Sequence, residues 1–252
     1  MSKIALITGA SSGFGEACAR AFAAAGYALI LVARSEEKLQ QLAAELRPST
    51  AVHVACADMM DAVAVKALVQ NLPEPFRAVD VLINNAGLAL GVAPAYDADL
   101  NDWETMVDTN IKGLMRITHH LLPGMVERNR GHIINMGSVA GSWPYPGGNV
   151  YGGTKAFVQQ FSRNLRAELL GKQIRVTNLE PGMAETQFSI VRMKGNTEKA
   201  SQVYENTQPL TAGDIADIAL WVASLPPHVN INTLEVMPTC QAWNPFAVSR
   251  DM

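Results

Sequence analysis

"KIALITGASSGFG", residues 3–15, joins an apolar run to a glycine-rich turn, and the alanine-rich "EACARAFAAAG", residues 16–26, follows at once. The run reads as a strand over 3–8 and the alanine-rich stretch as a helix over 14–25. Gly9, Gly13 and Gly15 fall in the pattern G-x-x-x-G-x-G. Without Cβ atoms they permit a tight turn and let backbone N–H groups at the positive end of the helix approach a pyrophosphate. Ser11, Ser12 and Phe14 complete this candidate cradle. A glycine pattern alone is a weak signal. The strand before it, the helix after it and a second strand at 27–33 make it a dinucleotide fingerprint. The missing G-K-[ST] argues against a P-loop nucleotidase.

The alternation continues outward from this stretch. Strand-like runs occupy 3–8, 27–33, 51–57, 79–84, 132–136, 174–179 and 232–237, and helix-like ones 14–25, 35–46, 61–71, 100–128, 151–170 and 212–224. Such a chain predicts an α/β fold: a doubly wound sheet of parallel strands with helices on both faces. No repeat, low-complexity tract or linker divides residues 1–252, which read as one domain. The long stretch 181–211 lacks clear strand character and is expected to act as a binding loop, with a substrate lid near 183–210 and a tail at 238–252.

Charge narrows the partners. With 20 Lys and Arg against 23 Asp and Glu, the net charge of −3 gives no electrostatic case for nucleic acid or an anionic membrane. A small molecule is the expected partner. The amino end reads as a first strand rather than a signal peptide, and no run approaches the roughly 18 apolar residues of a membrane span. Cys18, Cys56 and Cys240 are odd in number and widely spaced, which suits free thiols in a reducing, cytoplasmic setting. His119 and His120 have no matching ligand spacing, so no metal is expected.

The end of the second strand faces the adenosine ribose in such folds. A carboxylate there accepts from the 2′-hydroxyl of NAD and repels a 2′-phosphate. Here the residues are Ala33 and Arg34. A guanidinium suits a phosphate, with hydroxyls of Ser11, Ser12 or Ser35 in support, so NADP is the expected cofactor.

The chain resembles the short-chain dehydrogenase/reductase family. The resemblance rests on TGASSGFG at 8–15, Asp58 after the third strand, NNAG at 84–87, Asn110, Ser138, Tyr151-x-x-x-Lys155 and Pro181-Gly182, in the family's order along nearly the whole chain. It implies a Rossmann-type sheet of seven parallel strands, a homotetramer, and a catalytic set of Asn110, Ser138, Tyr151 and Lys155. It also places Asp58, Asn85, Ala86, Gly87, Pro181, Gly182 and Thr186 at the cofactor, together with Tyr151 and Lys155. Longer stretches, "NNAGLALG", "DWETMVDTN", "LPGMVERN", "GSWPYPGGNVYGGTKAFV", "VRMKG" and "HVNINTLEVMP", resemble the 3-hydroxy acid dehydrogenases of that family and the related sulfoacetaldehyde reductases. They imply oxidation of a short 3-hydroxy acid or reduction of its carbonyl form, with isethionate formation as the sulfonate counterpart.

Side-chain chemistry fits that resemblance. Hydride transfer to a carbonyl leaves an alkoxide that needs a proton, and the reverse reaction needs a base. A tyrosine with a pKa of about 10 needs roughly 4 kcal/mol of preferential phenolate stabilisation to work as a base near neutrality. Lys155, one helical turn from Tyr151, is expected to supply positive charge. Ser138 is expected to donate to the substrate oxygen; the resemblance gives Asn110 a water-holding role. Gly152 and Gly153 each cost about 1 kcal/mol in a helix, and are expected to leave room for nicotinamide and substrate.

Arg192, with Lys194 beside it, offers charge to a small anion. Trp143, Tyr145 and Asn149 are expected in the pocket wall with Ser138 and Tyr151. After Pro181-Gly182 the segment Met183-Ala184-Glu185-Thr186 is shorter than in the hydroxy acid group. Phe246 or Arg250 in the tail is expected to close a neighbouring subunit's pocket. Two other readings stand beside this one: a reductase of neutral carbonyls, and a non-catalytic NADP(H) sensor, which has no need of Tyr151 and Lys155.

Overall fold

Strand β1 (Ile4–Thr8) is buried at all five positions. A strand with no solvent side must lie between others and beneath helices on both faces. The same holds for β2 (Ala28–Ala33) and β4 (Val81–Asn84). With β3 (Val52–Cys56), β5 (Gly131–Met136), β6 (Ile174–Pro181) and β7 (Thr233–Val236) they form one seven-stranded sheet in the order β3-β2-β1-β4-β5-β6-β7. Every pairing is parallel. The computed structural model describes residues 2–243 and 246–250. The order reverses between β1 and β4, the place where a crevice opens at the carboxyl ends of the strands.

Helices α1 (Gly13–Ala24), α2 (Glu36–Leu46) and α9 (Ala212–Ser224) cover one face, burying Phe22, Leu39 and Ile215 against Leu29, Leu31 and Ile83. Helices α3 (Ala62–Gln70), α5 (Leu114–Glu127) and α6 (Asn149–Glu168) cover the other, with Val65, Ile117, Met125 and Leu165 against Leu6, Ile30 and Leu82. Thr211 and Asp214 open α9 with a reciprocal capping box. Under the site runs a buried polar chain: Asn84 donates to Thr118 and to Asn135, and Asn135 donates to Ser162. Each of these bonds ties a strand end to a neighbouring strand or helix.

Two stretches differ from the sequence reading. The single helix expected over 100–128 is α4 (Leu100–Val107), a π-helical turn at Asp108–Gly113, and then α5. The widened turn carries Asn110, and side-chain periodicity does not register one extra residue in a turn. The stretch 181–211 contains α7 (Gln187–Arg192) and α8 (Thr197–Gln202). At six residues each they are too short to display a helical period. Among the described residues no helix is long and apolar enough to cross a membrane.

Phe22 is fully buried between α1 and the sheet. Phe22→Ala is expected to lower unfolding stability by about 3–5 kcal/mol, read as a lower urea midpoint with the slope unchanged.

Candidate active site

The glycine turn is a cradle that a single Cβ would fill. A Cβ on Gly15 would stand 2.2 Å from the Gly9 carbonyl oxygen, and Gly9 itself has a φ of +67°. Asn85 holds this geometry: its amide donates to Thr8 O at 2.9 Å and to Gly9 O at 3.2 Å. The Thr8 hydroxyl in turn accepts from the backbone N–H groups of Asn85 and Ala86, both at 3.0 Å. The NNAG segment thus braces the loop, and the Asn85 side chain is taken up in that task. Gly13 has a φ of +54°, and a Cβ there would touch Thr186 at 3.6 Å, so the start of α7 borders the cradle. Ser12 precedes α1 without using its hydroxyl as a cap. At the outer end Arg34 is exposed, its carbonyl accepting from Cys56 Sγ at 3.2 Å, and Asp58 accepts from Met60 N at 2.9 Å. Open backbone at the helix start and a free guanidinium past β2 together fit a phosphorylated dinucleotide.

Two backbones interlock to set the candidate catalytic side chains. The 3₁₀ turn Val139–Gly141 follows β5 and packs on the first turns of α6. A Cβ on Gly141 would lie 2.8 Å from the Lys155 carbonyl carbon, and a Cβ on Gly152 would lie 2.8 Å from Ala140 O. Gly152 therefore serves close approach of helix to turn, rather than the space for nicotinamide and substrate expected from sequence. Gly153 meets nothing within 4 Å. The contact brings the end of β5, with Ser138, against the turn of α6 that carries Tyr151. One turn on, Lys155 Nζ donates to Met136 O at 2.7 Å and lies 5.7 Å from the Tyr151 ring centroid. Asn110 exchanges bonds with the backbone of Leu88, at 2.9 and 2.8 Å, and donates to Thr154 at 3.1 Å. Its side chain fixes the loop after Gly87 to α6.

Burial governs the charges. It pushes the Tyr151 phenol well above its ordinary value; the Ser138 hydrogen bond and the Arg192 charge pull it back only in part. The sequence reading gave Lys155 and an oxidised nicotinamide together the role of lowering this pKa; in the protein alone burial is the largest influence on the phenol. Burial also lowers Lys155 to about 8.

Around Tyr151 pack Leu88, Ala89, Trp103, Met106, Tyr145 and Phe188. Arg192 enters this wall from the end of α7. Its guanidinium stands 5.2 Å from the Tyr145 ring centroid and 5.9 Å from that of Tyr151. It makes long contacts of 3.4 Å to Gly91 O and to Gly147 O. Of the other expected wall residues, Trp143 is turned to Glu235, its indole donating at 2.9 Å. Asn149 is exposed and accepts from Val150 N. Lys194 is paired with Asp102 at 2.8 Å. Phe246 lies 5.6 Å from Tyr145 of its own chain, and Arg250 donates to Glu205 O. Both of these tail contacts are made within one chain. Phe188, Gln241 and Glu235 went unread in the sequence. Gln241 accepts from Met183 N at 2.7 Å and covers Gly182, and only its place in a distinctive tail could have signalled it. Among the described residues no group of three or more His, Cys, Asp or Glu could hold a metal.

Gly152→Ala is expected to wedge α6 from the turn and lower kcat by about tenfold or more, with the Kd for NADPH unchanged by fluorescence titration. Lys155 loses its charge as pH rises through about 8. A pH profile of kcat/KM for NADPH is therefore expected to fall on the alkaline side of that value, and Lys155→Arg should shift that limb upward.

Residues 3–197 match the family described as short chain dehydrogenase. The chain is 56% identical to sulfoacetaldehyde reductase 2 of Chromohalobacter salexigens, covering 100% of both chains. It is 55% identical to an NADP-dependent 3-hydroxy acid dehydrogenase of Salmonella typhi over 98% of this chain and 99% of that one. The solved closed form of serine dehydrogenase complexed with NADP+ superposes with a TM-score of 0.94 at 52% identity, covering 98% and 99% of the two chains. With the glycine cradle, the Ser138, Tyr151 and Lys155 constellation and these likenesses together, the chain belongs to the short-chain dehydrogenase family.

Proposed function

We propose that this chain uses NADP to interconvert a short 3-hydroxy acid and its aldehyde or ketone, and that it recognises the acid group through Arg192. The observation that carries the reading is the guanidinium 5.9 Å from the ring centroid of Tyr151, inside an otherwise apolar wall. A charge so placed has an anionic partner as its natural complement. Its contacts to Gly91 O and Gly147 O, at 3.4 Å, are long. Exchanging them for a bidentate carboxylate is favourable. That charge disfavours the reading as a reductase of neutral carbonyls, and the complete tyrosine and lysine pair disfavours the sensor.

The cofactor, when bound, supplies or accepts the hydride and in its oxidised form adds a positive charge. Backbone N–H groups of the cradle hold its phosphates, with Arg34 at the 2′-phosphate. Ser138 Oγ accepts from Ala140 N at 3.1 Å, and its hydroxyl proton is the group that would donate to the substrate oxygen. Tyr151, held protonated by burial, gives its proton to the alkoxide during reduction. Lys155 stands behind the phenol and compensates the charge that this leaves. Oxidation requires Tyr151 to lose its proton first, at about 1.4 kcal/mol for each unit its pKa stands above the pH. Residues 183–210 act as the lid, and the enzyme works as a cytoplasmic homotetramer, the arrangement the family resemblance carries.

A sulfonate is the second reading, favoured by the full-length likeness to a sulfoacetaldehyde reductase. Steady-state kcat/KM with NADPH, measured side by side, separates the two. Malonate semialdehyde ahead of sulfoacetaldehyde supports the hydroxy acid; the reverse order makes the product isethionate. Arg192→Ala is expected to raise KM for the preferred anion by about tenfold and to leave KM for NADPH unchanged. An unchanged substrate KM would return the neutral carbonyl reading.

A further inference from the structure

Glu235 lies outside the catalytic set, yet two indoles converge on its carboxylate. Trp143 Nε1 donates to Oε2 at 2.9 Å, and Trp243 Nε1 donates to Oε1. The two tryptophans belong to segments exactly 100 residues apart only in number; in space each segment continues to the same place. Two residues beyond Trp143 is Tyr145, three beyond Trp243 is Phe246, and these rings meet at 5.6 Å. On the Tyr145 ring rests the Arg192 guanidinium, 5.2 Å from its centroid. Glu235, the two indoles and the two rings thus close on one another, and the arginine rests on one of those rings.

We infer that Glu235 is a positioning residue for the substrate pocket, anchoring to β7 the segment whose Tyr145 ring seats Arg192 and the segment whose Phe246 ring backs Tyr145. An indole N–H only donates, so a carboxylate with one oxygen for each ring gives both a fixed partner. Bonds to a charged acceptor are the stronger kind. Glu235 itself is held in register opposite Glu180 of β6, so the wall is referenced to the sheet rather than to a loop. Ser138 and Tyr151 do not depend on this anchor, because the Gly141 and Gly152 contacts fix them through other atoms. Loss of Glu235 should therefore loosen the grip on substrate and spare the chemical step.

The inference rests on the reading of the Tyr145 and Arg192 wall as the substrate pocket. The test measures kcat and KM for the substrate turned over fastest, in the wild type, Glu235→Ala, Glu235→Gln and Trp243→Phe. Glu235→Ala is expected to raise substrate KM by about fivefold or more, with kcat within about twofold and KM for NADPH unchanged. Glu235→Gln keeps one carbonyl acceptor and should recover part of the loss. Trp243→Phe should give a smaller rise that adds nothing to Glu235→Ala in the double variant. A substrate KM unchanged in Glu235→Ala, or a change confined to kcat or to thermal stability, would overturn the inference. Arg192→Ala, assayed in parallel, separates the two ideas: its failure to raise KM removes the anion contact, whereas failure of Glu235→Ala alone removes only the anchor.

Discussion

The catalytic geometry depends on the close approach of two backbones. Gly141 in the turn after β5 and Gly152 in α6 each leave room that a Cβ would close to 2.8 Å. A helix normally stands off its neighbour by the thickness of side chains. Removing both side chains at the contact brings the turn that follows Ser138 against the helix that carries Tyr151. The cost of glycine in a helix is repaid by a contact that side-chain packing would prohibit. The same device recurs at the cofactor end, where Gly9 and Gly15 cross and Asn85 locks the crossing.

Enclosure then sets the protonation states. Tyr151 and Lys155 are both buried, and burial disfavours the charged form of each, raising the phenol and lowering the ammonium. Tyrosine is left as a proton donor and lysine near the edge of ionisation. Arg192 differs because a guanidinium keeps its charge in surroundings that would neutralise an ammonium. It is also seated on aromatic faces, which favour a cation. The wall around the tyrosine thus combines one titratable lysine with one permanent charge.

The pocket wall is assembled from distant parts of the chain. The turn after β5 supplies Tyr145, α7 supplies Phe188 and Arg192, and the tail supplies Phe246. Gln241 and Glu235 connect these pieces to the segment after β6 and to β7. Such contacts join residues separated by tens of positions, and their spacing in the chain carries no period.

The sequence alone determined the alternation of strands and helices, the glycine cradle and the tyrosine and lysine one helical turn apart. Each is a local matter of side-chain period or backbone freedom. All seven strands lie within a few residues of their expected positions. Only the tertiary structure decided the rest. It put a π-helical turn inside a helix of regular period, gave Gly152 its reason in the carbonyl of Ala140, and turned Trp143 to Glu235. It also buried Tyr151, which raises its phenol, because desolvation is a property of everything packed around a residue.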